Sequence, residues 1–338
     1  MAEIAANNSL KAIGFDDRLT ATVTTELKAM NNMEVEDQDG DKIIFGDIGD
    51  ALLALKAMIP AKEDETDTIY DFKSVHLGKS AARGKTKDDI YRGFLYWSQK
   101  DEDVENECFN ITKAFKRLTS FAKCQDDYFE KYWDTPVYLK EIRVVNEFMS
   151  AFTPEYEVAG GSPLWAYAMG SHGRGWDLKD WDITDKLLMR WFWYTVVCCL
   201  FDKKAQHPGV VIVQSFNNMG VGEMVKMNNA FSGIEKEMNR MFYGCLPVKM
   251  KSIIIVGSPW WMSALMRIMR LFLSKKMSER FKNVSIEKMH QLIGGKTMLP
   301  KDYLGGVTTM TERWPQADTC EEEDKKAEEE EATEEVLL

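Results

Sequence analysis

The period of the apolar positions changes along the chain. Before residue 80 the pattern is weak and acidic, with two short amphipathic pieces near Leu19–Met30 and Ile48–Met58. From Asp88 to Trp133 it becomes helical. Ile90, Phe94 and Trp97 fall on one face, and so do Phe115, Leu118 and Phe121. Asp103-Val-Glu-Asn-Glu-Cys-Phe reads as a capped helix start, and the stretch predicts a small lobe of two or three helices. From Val145 onward short β-branched runs alternate with helices. The expected elements are a strand from Leu164, a helix over Asp185–Phe201, a strand from Gly209, one long helix over Gly222–Tyr243 and a strand from Ser252. On the long helix Met224, Met227, Phe231, Met238 and Phe242 share the inner side. Short β-branched strands joined by long helices predict an α/β domain whose sheet is largely parallel.

Residues 245–306 carry the most specific pattern. A buried strand, Ser252-Ile-Ile-Ile-Val, runs into Gly-Ser-Pro and then into a helix expected over Trp260–Leu273. The polar side chains of that helix, Ser263, Arg267 and Arg270, continue to Ser274 and lie on one narrow stripe. The rest of its circumference is apolar. Ser258 suits an N-cap and Pro259 a first helical residue. A helix this apolar is either deeply buried or covers an apolar space that it can leave.

Composition narrows the function. The net charge is −11, and residues 321–338 hold ten acidic residues and two lysines, so most of the excess sits in a tail expected to be disordered. That balance argues against nucleic acid as a partner. Methionine is abundant, with 20 residues, and its adaptable side chain suits cavities for flexible apolar ligands. The six cysteines form no Cys-x-x-Cys pair and have no histidine at metal-ligand spacing, so no metal site is expected. No signal peptide is visible. The longest apolar run, Leu187–Phe201, is too short to span a bilayer and contains Arg190, so a reduced, cytoplasmic protein is expected.

Chemistry-bearing motifs fail on spacing. Asp37-Gln-Asp-Gly-Asp has Lys42 and Ile48 where a calcium loop needs Gly and Glu. Gly78-Lys-Ser-Ala-Ala-Arg-Gly-Lys-Thr has one residue too many for a phosphate loop, and no strand precedes it. His76, His172, His207 and His290 sit in no catalytic setting, and the strand ends carry Gln214, Ser215 and Ser258 rather than paired acids. No catalytic residue is assigned and no enzyme is expected.

The order of these pieces resembles the CRAL-TRIO (Sec14-like) lipid-binding family. The resemblance rests on Phe94-Leu-Tyr-Trp-Ser-Gln-Lys-Asp-Glu-Asp-Val-Glu with Ala114-Phe-Lys-Arg-Leu, on Gly209-Val-Val-Ile-Val-Gln, on Leu246-Pro-Val-Lys-Met-Lys-Ser-Ile-Ile-Ile-Val-Gly-Ser-Pro-Trp, and on Leu299-Pro-Lys-Asp-Tyr-Leu-Gly-Gly. It departs from the family at Gln214, where an acid is usual, and at Tyr96-Trp-Ser-Gln, where the lobe is usually Arg-rich. It implies an acidic extension and linker over 1–84, a helical lobe over 85–140, a ligand-binding domain over 141–308 and an acidic tail over 309–338. The fold implied is an α/β cage with a mixed, mostly parallel sheet as floor and helices as walls. A mobile gate, here 260–273, would close it over one hydrophobic ligand. Carried onto this chain, the lining is Met189, Phe192, Trp193, Val196, Met238, Met241, Phe242, Leu246, Val248, Met250, Ile253 and Trp260, with Trp165, Tyr167 and His172 closing one end. Lys249, Lys251, Lys275, Lys276, Arg280 and Lys282 would meet an anionic, phosphoinositide-bearing membrane. Within the family the chain resembles the retinaldehyde- and tocopherol-binding branch. The implied function is a carrier of a small hydrophobic molecule, retinal by preference, that works without a cofactor and exchanges its ligand at a membrane or with a protein donor or acceptor. The alternative is a phosphoinositide-sensing lipid-transfer adaptor.

Overall fold

The computed structural model describes residues 11, 43–45, 47–59, 70, 72, 85–99, 108–135, 137, 139–149, 156–157, 161–168, 178–216, 220–259, 262, 266, 275–299, 303–307 and 326. Its centre is a sheet of five strands: β3 (Tyr156–Glu157), β4 (Pro163–Ala168), β5 (Val210–Ser215), β6 (Met250–Val256) and β7 (Phe281–Asn283). They lie side by side in chain order. β3 pairs antiparallel with β4, and the other pairings are parallel. The largely parallel sheet expected from the apolar runs is present, and its antiparallel edge pairing makes it the mixed sheet that the resemblance implies.

Both faces of this sheet are covered. Trp165, Val210, Ile212, Ile253 and Ile255 point into the main core, while Leu164, Ala166, Val211, Val213, Ile254 and Val256 point into a second, smaller core. The alternation follows the two-residue period of a strand. Met250 breaks the period, since it shares the main core with Ile253, three residues on. The register explains this. Val210 pairs with Met250 but Val211 pairs with Ser252, so Lys251 is an inserted residue. Such a bulge moves everything before it to the opposite face.

The second core is closed by α9 (Ile286–Ile293) and the turn after it, through Met289, Ile293, Leu299 and Tyr303. The main core is covered by α5 (Asp185–Val197), α6 (Val221–Phe231), α7 (Glu235–Asn239) and the helical lobe. The lobe contains α1 (Ile48–Lys56), α2 (Lys87–Ser98), α3 (Ile111–Tyr132) and α4 (Leu139–Met149), with a two-stranded antiparallel ribbon of β1 (Ile43–Phe45) and β2 (Cys108–Asn110). Ala51, Leu52, Leu55, Tyr70 and Phe72 are buried in the same core, so the lobe draws on residues before 85. The Phe72 ring lies 5.6 Å from that of Phe121.

Three elements differ from expectation. The helix expected to start near Asp103 starts at Ile111, where the Asn110 side chain accepts from the Lys113 N–H at 2.8 Å, and Cys108–Asn110 is strand instead. The helix expected over Asp185–Phe201 tightens into a 3₁₀ turn at Cys198–Leu200. The long helix expected over Gly222–Tyr243 is broken. It ends at Phe231, resumes at Glu235 and widens into a π-helical turn over Arg240–Cys245. At the break Ser232 returns its hydroxyl to the Asn229 carbonyl, and Gly233 lies against the end of the exposed Asp185 side chain. The Leu19–Met30 piece and the acidic tail expected to be disordered lie outside the described residues, Lys326 excepted.

Candidate functional site

The inner face of the sheet is roofed by aromatic rings from two directions. Trp165 rises from β4, Phe192 descends from α5, and Phe242 enters from the π-helical turn. The Phe242 ring lies 5.7 Å from that of Trp165 and 6.3 Å from that of Phe192. Ile212, Ile253 and Ile255 floor the group, and Met250 joins it because of the bulge. Met262 and Met266, two helical residues of the expected gate, are buried in the same core. The Met262 N–H donates to the Pro259 carbonyl at 3.0 Å. Ser258 gives its hydroxyl to Asn283 at 2.6 Å. The rest of the gate, with Trp260, lies outside the described residues, as do His172 and the side chain of Tyr167.

The other eleven residues expected to line the site all belong to the main core. Met189, Phe192, Trp193, Val196, Met241, Leu246, Val248, Met250 and Ile253 are buried, and Met238 and Phe242 are half-buried against them. Adjacent positions on α5 face different neighbours. Phe192 meets Phe242, whereas Trp193 stacks on Phe121 of α3 and lies 4.8 Å from the Trp133 ring. Phe192 thus faces the sheet side and Trp193 the lobe.

Polar groups at this site are few. The Trp165 indole N–H is fully buried and has no hydrogen-bond partner among the described residues. A buried donor without an acceptor costs free energy on the order of 1–3 kcal/mol, so it is a place where an acceptor oxygen would be welcome. Among the described residues no group of three or more His, Cys, Asp or Glu side chains could hold a metal ion.

A charged seam holds the π-helical turn in place. Arg117 on α3 donates to the Leu246 carbonyl at 2.8 and 3.1 Å, to the Tyr243 carbonyl at 2.6 Å and to the Phe242 carbonyl at 3.5 Å. Its guanidinium also covers the Trp97 ring. Further along α3, Asp127 pairs with Arg240 at 2.6 Å and Lys131 with Glu237 at 3.4 Å. The Arg240 guanidinium lies over the Tyr128 ring. Partners that ascend α3 descend the opposing segment, so the two zip together antiparallel. Arg117 therefore satisfies carbonyls that a widened helix end leaves without partners. No motif in the sequence announces this role, because the partners are backbone atoms more than a hundred residues away.

The basic residues separate into two kinds. Lys249 is half-buried, and its Nζ donates to the Gln99 carbonyl at 2.6 Å, closing the end of α2. Its backbone crosses Gly209, whose φ is +106° and whose missing Cβ would sit 2.5 Å from the Lys249 carbonyl oxygen. Lys251, displaced outward by the bulge, is exposed and reaches Ser162 Oγ at 3.0 Å. Lys275 is exposed, and Arg280 and Lys282 are half-buried, on α8 (Lys275–Arg280) and β7. The side chain of Lys276 lies outside the described residues.

The inner face of the sheet thus carries an aromatic, methionine-rich cover with few polar groups. Residues 160–306 match the family model of the CRAL/TRIO domain. The match points to a lipid-binding or lipid-transfer protein. The matched span runs from just before β4 to the closing turn and leaves out the helical lobe. No curated protein matches the chain. No helix among the described residues is long and apolar enough to cross a membrane.

Proposed function

We propose that this protein is a carrier that holds one small hydrophobic molecule between the inner face of the sheet and the roof made by α5, α6 and the π-helical turn. The observation that carries this reading is the ring group of Trp165, Phe192 and Phe242 over an isoleucine floor, within the span that matches the CRAL/TRIO domain. The ligand we propose is retinal. Flat aromatic rings suit a conjugated chain, and the unpartnered Trp165 N–H suits a single carbonyl oxygen. The segment 260–273 acts as the gate. Lys251, Lys275, Lys276 and Arg280 bring it to an anionic leaflet, each adding about 1 kcal/mol near the surface. The carrier performs no reaction on its ligand and works in the cytoplasm.

The test is a titration of the full chain with all-trans-retinal, followed by tryptophan quenching and by the absorption band of the bound chromophore. Saturable quenching near one ligand per chain is expected, with retinal recovered unchanged. A preparation that carries only phospholipid and takes up no retinal overturns the retinal assignment and favours the phosphoinositide-sensing reading. Turnover of retinal or of a retinyl ester by the protein alone overturns the carrier reading.

A further inference from the structure

The two helices that roof the inner face of the sheet are held very differently. α5 buries nine of its thirteen residues, whereas α6 buries none of its eleven. Apolar side chains are not lacking on α6. Val221, Met224, Val225, Met227 and Phe231 fall on one face, about 160° wide at 100° per residue. All five pack against the main core, and all five stay half-buried there. The face that α6 turns to the core is therefore incompletely covered by it.

Its two ends differ as well. At the C-terminal end the Phe231 ring lies 6.3 Å from that of buried Phe148, and Ile234, just past the break, is fully buried. At the N-terminal end the cap is Gly220, which brings no side chain to the first N–H groups, and the second helical residue is Gly222. Nothing lies within 4 Å of where a Cβ would stand on either glycine, so packing asks for glycine at neither position. Both weaken the first turn, since glycine loses more freedom in a helix than any other residue. The ion pair of Lys226 with Glu223, at 2.9 Å, is internal to α6 and ties it to no other element. A segment with few buried contacts and one weak end belongs to the part of a fold that opens first.

We propose, on the basis of the carrier reading, that an uncharged apolar ligand enters beneath α6, which unwinds from its glycine end and rewinds over the ligand. The anchors at Phe231 and Ile234 keep the C-terminal end of α6 in place meanwhile. An apolar molecule below the helix supplies the contacts that its Val, Met and Phe side chains lack, so binding and rewinding favour one another. This entrance is separate from the segment 260–273, and it gives the methionines of α6 a role: unbranched side chains reshape around whatever enters.

The two glycines make the test direct. In the full chain carrying Gly220→Asp and Gly222→Ala, the first change supplies a capping carboxylate and the second a better helix former, and neither touches the core. Amide exchange is measured first on the ligand-free wild type. The α6 amides are expected to exchange faster than those of α5 by a factor of about ten or more. In the variant they slow by about five- to ten-fold, and the uptake and release of Nile red, a neutral apolar dye, slow by the same factor. Protection of α6 equal to that of α5 in the wild type overturns the proposal, whether or not the variant folds. Slower amide exchange with unchanged dye uptake overturns it too. The same rates are followed with all-trans-retinal. Slowed dye uptake without any retinal binding upholds the entrance and removes retinal as the ligand. Uptake of neither probe removes the carrier reading and the entrance with it.

Discussion

Arg117 shows how one side chain decides the position of a functional wall. It is nearly buried and spends its guanidinium on three backbone carbonyls of the turn that carries Phe242. Arg117→Ala leaves those carbonyls without donors and is expected to lower the stability of the chain by on the order of 3 kcal/mol in urea unfolding. Arg117→Lys keeps the charge but lacks the planar fork, and recovers only a part. Arg190 is a comparable case. Its side chain is 5% exposed and bidentate to Glu141, at 2.6 and 2.9 Å, with the Tyr132 and Thr135 carbonyls behind it. Glu141→Gln strands a buried cation and is expected to cost about 1–3 kcal/mol by the same measurement. The sequence marks Arg190 only as an interruption in an apolar run, since the acid that answers it lies on another helix. Candidate lining residues such as Phe192 and Phe242 are legible from periodicity. Which way each ring turns is not, because neighbouring positions such as Phe192 and Trp193 serve different partners.

At the scale of elements, strands and the lobe helices follow their apolar spacing, while breaks follow single polar contacts. The helix divides after Phe231 where Ser232 turns its hydroxyl onto the Asn229 carbonyl. A Cβ at Gly233 would meet only the end of the exposed Asp185 side chain, which can rotate away, so Gly233→Ala is expected to leave the thermal midpoint nearly unchanged. The start of α2 is fixed by a capping box in which Thr86 accepts from the Asp89 N–H and Asp89 accepts from the Thr86 N–H. That backbone bond, with the Thr86 hydroxyl and Arg92, holds the Asp89 carboxyl below its ordinary value. A depressed carboxylate contributes stability that is complete above its unfolded value, near 3.9, and is lost as the pH falls through the lower folded value. Thr86→Ala is expected to cost about 1 kcal/mol at neutral pH, and the gap from wild type should shrink below about pH 4 in acid unfolding curves. The bulge at Lys251 was not legible, because an inserted residue in a strand has no signature of its own. It nevertheless decides that Met250 faces the roof and Lys251 faces out.

At the scale of the molecule, the largely parallel sheet follows from the continuous β-branched runs joined by long helices, and the match over 160–306 agrees with that reading. The joining of lobe and domain does not follow from pattern, since it depends on a seam of ion pairs and backbone carbonyls. The proposed carrier makes a claim at this scale too. Trp165→Phe removes an indole N–H while keeping a ring over the sheet. It is expected to weaken retinal binding several-fold while leaving binding of a polyene hydrocarbon of similar length unchanged, measured by quenching. Equal loss for both ligands would show that the indole serves packing alone. Docking to vesicles containing phosphatidylserine is expected to weaken as salt rises, and to weaken further in Lys275→Ala, followed by co-sedimentation.

The antiparallel seam also has a consequence for synthesis. Arg117 and the Leu246 carbonyl are separated by 129 residues, and Lys249 and the Gln99 carbonyl by 150. Contacts of such high order slow folding, because a long loop must close before they form. At about 5–20 residues per second, α3 waits on the order of ten seconds after its own translation before its partner turn exists. During that interval Phe72 and Phe94 cover part of its apolar face and Trp97 lies against its guanidinium, but the side that meets the turn has no partner. Ribosome-bound chains stalled before residue 240 should be cut by protease within α3, and chains long enough to free residue 260 from the exit tunnel should resist. The chain thus depends on protection of its N-terminal half until its C-terminal half arrives.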